Sequence, residues 1–122
     1  MPSIVLDHTI VPSRDKERGA RFFARIFGLA YQGPSGPFAP VRVNDTLTLD
    51  FDDRWQSFEP HHYAFRVEDA DFDAILGRVQ AEGIAYGSLP WSRTDGKLSG
   101  QGRVRRFYFD DPDGHVLEAF TR

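Results

Sequence analysis

Two histidines and two carboxylates, His8, Asp50, His62 and Glu118, stand in stretches of apolar and aromatic residues where strands are expected. Imidazole nitrogens and carboxylate oxygens are the ligands that Zn²⁺, Fe²⁺, Mn²⁺, Co²⁺ and Ni²⁺ accept in proteins. Two imidazoles with one or two carboxylates leave coordination positions open for a substrate, as catalysis requires. These residue types therefore indicate an open divalent-metal site, provided that the fold brings them together.

The elements that carry these residues follow from apolar periodicity and from the turn residues between them. Apolar residues recur every three or four positions over residues 15–27 and 70–82, which predicts two helices that end at Gly28 and Gly83, with Ser13 as the cap of the first. Runs rich in β-branched and aromatic residues predict six strands. The predicted strands cover residues 4–11, 41–43, 46–51, 63–67, 103–109 and 115–120.

The order strand, helix, then two or three strands occurs twice along the chain. The segment that begins at His8 matches the one that begins at His62, and Asp50 falls opposite Glu118 near the end of each half. This repeat predicts an α+β fold in which paired βαβββ modules, about 3–57 and 60–121, form one domain over residues 1–122. Because side chains alternate between the two faces of a strand, all four residues can face one side of a sheet.

Composition excludes several classes of function. The 122 residues include no cysteine, which excludes disulfide scaffolds, zinc–thiolate sites and cysteine nucleophiles. Fifteen Lys and Arg against eighteen Asp and Glu give a net charge of −3, so nucleic acid and anionic membranes are not expected partners. No apolar stretch approaches the roughly 18 residues that a membrane span needs. We expect a cytoplasmic protein.

Spacing alone leaves two interpretations of the four residues open: they are metal ligands, or they are hydrogen-bonded structural residues. His61 precedes His62 on the same strand and must face the opposite side, so both cannot bind one ion. His115 follows an Asp-Gly turn and is predicted to be exposed to solvent.

Longer stretches of the chain resemble the vicinal oxygen chelate superfamily, which contains glyoxalase I, fosfomycin-resistance proteins, bleomycin-resistance proteins and extradiol dioxygenases. The residues that carry the resemblance are 6–11, 22–29, 62–67 and 108–118, the last reading Tyr-Phe-Asp-Asp-Pro-Asp-Gly-His-Val-Leu-Glu. The resemblance spans nearly the whole chain. It implies βαβββ modules whose mixed sheets curl into a half-barrel around a divalent metal, with His8, His62 and Glu118 as ligands.

The resemblance also implies a function. Asp50 lies near a place where glyoxalase I has a carboxylate ligand, but its side chain is one methylene shorter, so it is either a fourth ligand or a group beside the metal. Asp50 or Glu118 is the expected catalytic base. We expect a metal-dependent lyase, isomerase or thiol transferase that chelates vicinal oxygens of its substrate. A drug-binding protein without turnover and a ring-cleaving dioxygenase are the alternatives, and the identity of the metal (Zn, Fe, Mn, Ni or Co) is open.

The expected partners are a small-molecule substrate and a second copy of the chain. Basic residues across residues 92–106 form either an ordinary solvated hairpin or a cationic lid, and a lid would suit an anionic substrate. The many aromatic side chains either pack in the core or line a pocket for an aromatic substrate. Small two-module members of the superfamily usually dimerise. We therefore predict a homodimer in which each cavity is shared between chains, so that His8 of one chain and His62 of the other serve one metal.

Overall fold

The computed structural model describes residues 3–122 and divides the chain into two compact units, one up to Glu59 and the other from Pro60. Each unit is a helix on a three-stranded sheet. The first contains β1 (His8–Pro12), α1 (Lys16–Phe27), β2 (Ala39–Arg42) and β3 (Thr48–Asp52). The second contains β4 (His62–Arg66), α2 (Asp69–Ala81), β5 (Arg106–Asp110) and β6 (Val116–Phe120).

The helices begin and end close to the predicted positions. The side chain of Asp15 caps α1 by accepting a hydrogen bond from the backbone N–H of Arg18, and Gly28 ends the helix with a φ of 73°. The predicted cap, Ser13, is buried, and its hydroxyl donates to the carbonyl of Asp15 at 2.9 Å. Ser13 therefore stabilises the backbone of the cap residue, Asp15. No helix within residues 3–122 is long and apolar enough to span a membrane.

The two sheets have the same strand order and the same register. The last strand of each unit lies in the centre, parallel to the first strand and antiparallel to the middle one. In the first sheet His8 pairs with Thr48 and Ile10 with Asp50; in the second His62 pairs with Val116 and Ala64 with Glu118. His8 and His62 are thus equivalent positions, as are Asp50 and Glu118. The α+β fold of paired modules is confirmed.

Each sheet is apolar on the face that its helix covers. Phe51 of β3 packs against Phe23 of α1, with ring centroids 6.2 Å apart, and Phe107 of β5 meets Phe72 of α2 edge to face at 5.2 Å. All four rings are almost fully buried. Because side chains alternate along each strand, the remaining face carries the histidines and carboxylates. The apolar core therefore determines which residues are left to form a site.

The turn between β5 and β6 corrects one expectation. His115, predicted to be exposed, is fully buried, because its ring folds back onto the start of β4. Its Nδ1 accepts a hydrogen bond from the backbone N–H of His61 at 2.8 Å, and its ring lies 5.1 Å from the ring of His61. The side chain of Asp111 holds the turn by accepting from the backbone N–H groups of Asp113 and His115, both at 2.9 Å.

The polar cluster around this turn shifts the pKa values of three groups. Burial raises the pKa of the Asp111 carboxyl, an effect that His115 and the two backbone N–H groups only partly offset. Burial and the nearby Asp111 raise the pKa of Tyr63 to about 12, and burial lowers the pKa of His61. The Tyr63 hydroxyl lies 2.6 Å from Nδ1 of His61. The cluster occupies the sheet face opposite to His62, so His61 is not part of the candidate metal site.

The raised pKa of Asp111 predicts the effect of Asp111→Asn. Since the carboxyl ionises less readily in the folded state, wild-type stability falls as pH rises from the unfolded pKa to the higher folded one. Asparagine keeps the oxygen that accepts both N–H groups and removes the buried charge. We expect the variant to be more stable than wild type by about 1 kcal/mol at pH 7 and to lose this advantage near pH 3, as measured by urea unfolding. A wild type that is the more stable at pH 7 contradicts this account.

Candidate metal centre

The second unit places one histidine and one carboxylate in direct contact. Nε2 of His62, the first residue of β4, lies 2.8 Å from Oε1 of Glu118 in the middle of β6. The two side chains share a face because Glu118 is in register with Ala64, two residues beyond His62. The Glu118 side chain is 7% exposed and that of His62 is 46% exposed. A buried carboxylate thus faces a half-exposed imidazole, which leaves one side accessible.

The second oxygen of Glu118 is bound by an arginine. Nη1 of Arg106, on β5, donates to Oε2 of Glu118 at 3.1 Å, and the guanidinium lies 4.8 Å from the centre of the Phe120 ring. Tyr108, two residues further along β5, is the register partner of Glu118. Glu118 therefore has each oxygen committed to a different neighbour, which explains how an acidic side chain is tolerated at 7% exposure.

The first unit has a histidine and a carboxylate, His8 and Asp50, at the equivalent positions, but no hydrogen bond between them is seen in the part of the chain that the structure describes. His8 is exposed, and its Nδ1 lies 2.9 Å from the carboxylate of Asp7. This hydrogen bond raises the pKa of His8, and the charge of Asp50 adds to the effect. Burial raises the pKa of Asp50, and the charge of His8 opposes that shift. His8 and Asp50 are therefore close enough to interact electrostatically across β1 and β3.

The donor set of the second unit fits a divalent metal. Its imidazole nitrogen and carboxylate oxygen are ligand types that divalent ions take, and they share one sheet face, where they are joined by a hydrogen bond of 2.8 Å. Over residues 3–122, however, no three His, Cys, Asp or Glu side chains form one group that could hold an ion. The structure thus brings His62 and Glu118 into contact and leaves His8 close enough to Asp50 for an electrostatic interaction, and the complete set stays a prediction.

A pocket of about 420 Å³ lies beside this pair, within the second unit. Arg106 and Tyr108 line the pocket, together with the apolar side chains of Leu89 and Val104. Since Arg106 and Tyr108 lie on the same sheet face as Glu118, the pocket adjoins the candidate ligands. A small molecule with an apolar body and an oxygen-bearing end matches this lining.

The predicted cationic lid has much of its charge neutralised. Arg93 pairs with Asp110 at 2.5 Å, and Arg105 binds both Asp69 and Asp73. These contacts fasten the segment to β5 and α2. Arg106, assigned from the sequence only to the basic run, instead binds Glu118. The signal for its role is its spacing: it lies two residues before Tyr108, on the face that Glu118 occupies.

Comparison with known proteins agrees with this fold. A family model described as the Glyoxalase/Bleomycin resistance protein/Dioxygenase superfamily matches residues 5–119. The chain is 41% identical to the structure of oxidase ChaP-H2, with a TM-score of 0.93 over 99% of this chain and 95% of that one. It is 42% identical to oxidase ChaP-H1, with a TM-score of 0.92 over 98% and 97% of the two chains.

A more distant relative is the glutathione transferase FosA of Serratia marcescens. It is 29% identical over 119 residues, which cover 93% of this chain and 77% of that protein. The oxidases and the transferase differ in the reactions that their names describe, so the shared fold alone does not identify a reaction. Because the family model covers nearly the whole chain, the protein belongs to the glyoxalase/bleomycin resistance protein/dioxygenase superfamily.

Proposed function

We propose that this protein is a metal-dependent enzyme that acts on a small substrate through two neighbouring oxygen atoms. His8, His62 and Glu118 are its metal ligands. The observation that carries the proposal is the contact between His62 and Glu118. The first sheet has a histidine and a carboxylate, His8 and Asp50, at the equivalent register positions. A structural role alone does not require a histidine and a carboxylate at matching places in both sheets.

The chain's own residues would divide the work as follows. A bound divalent ion supplies Lewis acidity to the substrate oxygens, because two histidines and one carboxylate leave coordination positions open. Arg106 holds Oε2 of Glu118, so that Oε1 stays directed at His62. The body of the substrate would enter the pocket beside Tyr108 and displace water from the pocket.

Asp50 is the proposed general base. Burial raises its pKa, which makes it a better proton acceptor than an exposed aspartate. Arg106 lies two residues before Tyr108, the register partner of Glu118. In the first sheet the equivalent residue is Phe38, two residues before Pro40, the register partner of Asp50. Phe38 cannot donate a hydrogen bond to a carboxylate. Asp50 therefore lacks the cation that fixes Glu118, and it is the freer of the two to take up a proton.

Sequence similarity favours an oxidative reaction over thiol transfer. Identity reaches 41% and 42% with proteins named oxidases, across the full length of the chain, but only 29% with a glutathione transferase. An oxygen electrode and a glutathione-consumption assay, run on the same metal-loaded sample with candidate substrates that carry vicinal oxygens, separate the two reactions. A protein that binds such molecules and consumes neither reagent supports the non-catalytic alternative. The expectation of a cytoplasmic protein stays a prediction.

The ligand assignment predicts different metal contents for two neighbouring variants. His62→Ala should weaken metal binding by more than the roughly 10- to 100-fold that loss of an outer-shell partner costs, because it removes a ligand. His61→Ala, whose ring lies on the opposite face, should keep wild-type affinity. Inductively coupled plasma mass spectrometry of untagged protein, purified without chelators, measures both. Equal metal content in the two variants contradicts the assignment.

Affinity should also depend on pH. Imidazole must lose its proton to bind a metal, so the dissociation constant should rise as pH falls below about 6.5, the usual pKa of histidine. Because its pKa is raised, His8 takes up its proton at a higher pH than an ordinary histidine, and its contribution to metal affinity is lost at that higher pH.

Replacement of Asp50 separates its two possible roles. Asp50→Asn keeps the size of the side chain and removes its basicity. If Asp50 is the base, the metal dissociation constant should change by less than about threefold, whereas turnover should fall about 10²- to 10⁴-fold. Calorimetric metal titration gives the first result without a known substrate. A loss of affinity comparable to that of His62→Ala shows instead that Asp50 is a fourth ligand.

A shared cavity in a homodimer predicts complementation between two inactive variants. If His8 of one chain and His62 of its partner serve one ion, a mixed dimer of His8→Ala and His62→Ala contains one intact site. Refolding the two variants together should then restore metal binding to about a quarter of the wild-type sites, as random pairing of chains gives. No restoration, or a monomer by analytical ultracentrifugation, contradicts the shared cavity.

A further inference from the structure

We infer that His115 is a positioning residue for the candidate ligand His62, acting through the backbone of His61. This inference rests on the proposed function, because it requires His62 to bind a metal. His115 is not among the residues that line the pocket. Its role follows from three observations: the bonds at His61, the corresponding place in the first unit, and the exposure of His62.

Both polar groups of the His61 backbone are bound by consecutive residues of the turn and β6. The N–H of His61 donates to Nδ1 of His115 at 2.8 Å, and its carbonyl accepts from the N–H of Val116 at 2.9 Å. Pairing between β4 and β6 begins only at His62 and Val116. The ring of His115 therefore supplies an acceptor for the N–H of His61, which precedes the first paired residue of β4. Bonds on both sides of the His61 α-carbon fix the direction in which the chain enters His62.

The first unit has only the carbonyl half of this arrangement. The carbonyl of Asp7, which precedes His8, accepts from the N–H of Thr48 at 2.9 Å, as the His61 carbonyl does from Val116. The residue before Thr48 is Leu47, which has no side-chain acceptor. Asn44 bonds the backbone N–H groups of Thr46 and Leu47 much as Asp111 bonds its own turn. The two turns therefore resemble each other, and the imidazole of His115 is an addition of the second.

His62 needs such a support more than a buried residue would. It is the first residue of a strand that pairs on one side with β6, and its side chain is 46% exposed. Strand ends fray readily, and a ligand whose backbone must be ordered on binding loses affinity. His115 is fully buried and held in place by Asp111 through its own backbone N–H, so it offers a fixed anchor next to a half-exposed strand end.

Asparagine provides a matched test, because its Oδ1 and the Nδ1 of histidine are each one bond from Cγ. His115→Asn should keep the acceptor for the His61 N–H. His115→Leu fills the space without an acceptor, and His115→Gln moves the acceptor by one methylene and serves if the leucine variant folds poorly. Each variant is titrated with Co²⁺, followed by its visible absorption, and hydrogen exchange of the His61 amide is measured by NMR in the metal-free protein.

We expect His115→Leu and His115→Gln to bind Co²⁺ about 10-fold or more weakly than wild type, with faster exchange of the His61 amide. His115→Asn should remain within about threefold of wild type in both measurements. A folded leucine variant with wild-type affinity overturns the inference, and so does an asparagine variant as weak as leucine, because the acceptor is then not what matters. If wild type takes up no Co²⁺, the proposed function fails. If wild type binds Co²⁺ and the His115 variants do not show the expected differences in affinity and amide exchange, only the positioning role fails.

Discussion

The pairing of each central strand with a parallel and an antiparallel neighbour is the constraint on which the candidate site depends. Because β6 lies between β4 and β5 in fixed register, Glu118 stands beside Ala64 and Tyr108, and His62 and Arg106 lie diagonally from it on the same face. A shift of β6 by one residue in register would place the side chain of Glu118 on the core face, under α2. Phe107 and Leu117, both almost fully buried, oppose such a slip, so the apolar face fixes the polar one.

Charge balance explains why the two equivalent carboxylates differ. A carboxylate at 7% exposure costs free energy unless its oxygens are bound, and His62 and Arg106 bind one oxygen each of Glu118. Asp50 is less deeply buried, the position equivalent to Arg106 holds the uncharged Phe38, and burial raises the pKa of Asp50. The same backbone thus presents one carboxylate that is held in place and one that is free to exchange a proton, which suits a division between ligand and base.

Local sequence patterns were sufficient for the repeat and insufficient for individual contacts. Strand alternation and the matching of His8 with His62 predicted equivalent positions, and the register confirmed them. The prediction of Ser13 as the cap of α1 was wrong: Asp15, two residues later and an equally suitable residue type, is the cap, and Ser13 is buried. His115 looked exposed because it follows a polar turn. Its burial depends on β4, which is more than 50 residues away in sequence.

The duplicated architecture separates what the fold requires from what a site adds to it. Residues that recur in both units, the apolar faces and the Asx-type turns at Asn44 and Asp111, are those that a helix on a three-stranded sheet needs to fold. Residues that differ between units cannot be explained by that shared need. Arg106 in place of Phe38 and His115 in place of Leu47 are both polar and both occur in the second unit. Arg106 binds Glu118, and His115 binds the backbone N–H of His61, the residue before His62. Comparison of the two units therefore separates what both sheets share from contacts, such as that of Arg106 with Glu118, that only the second unit makes.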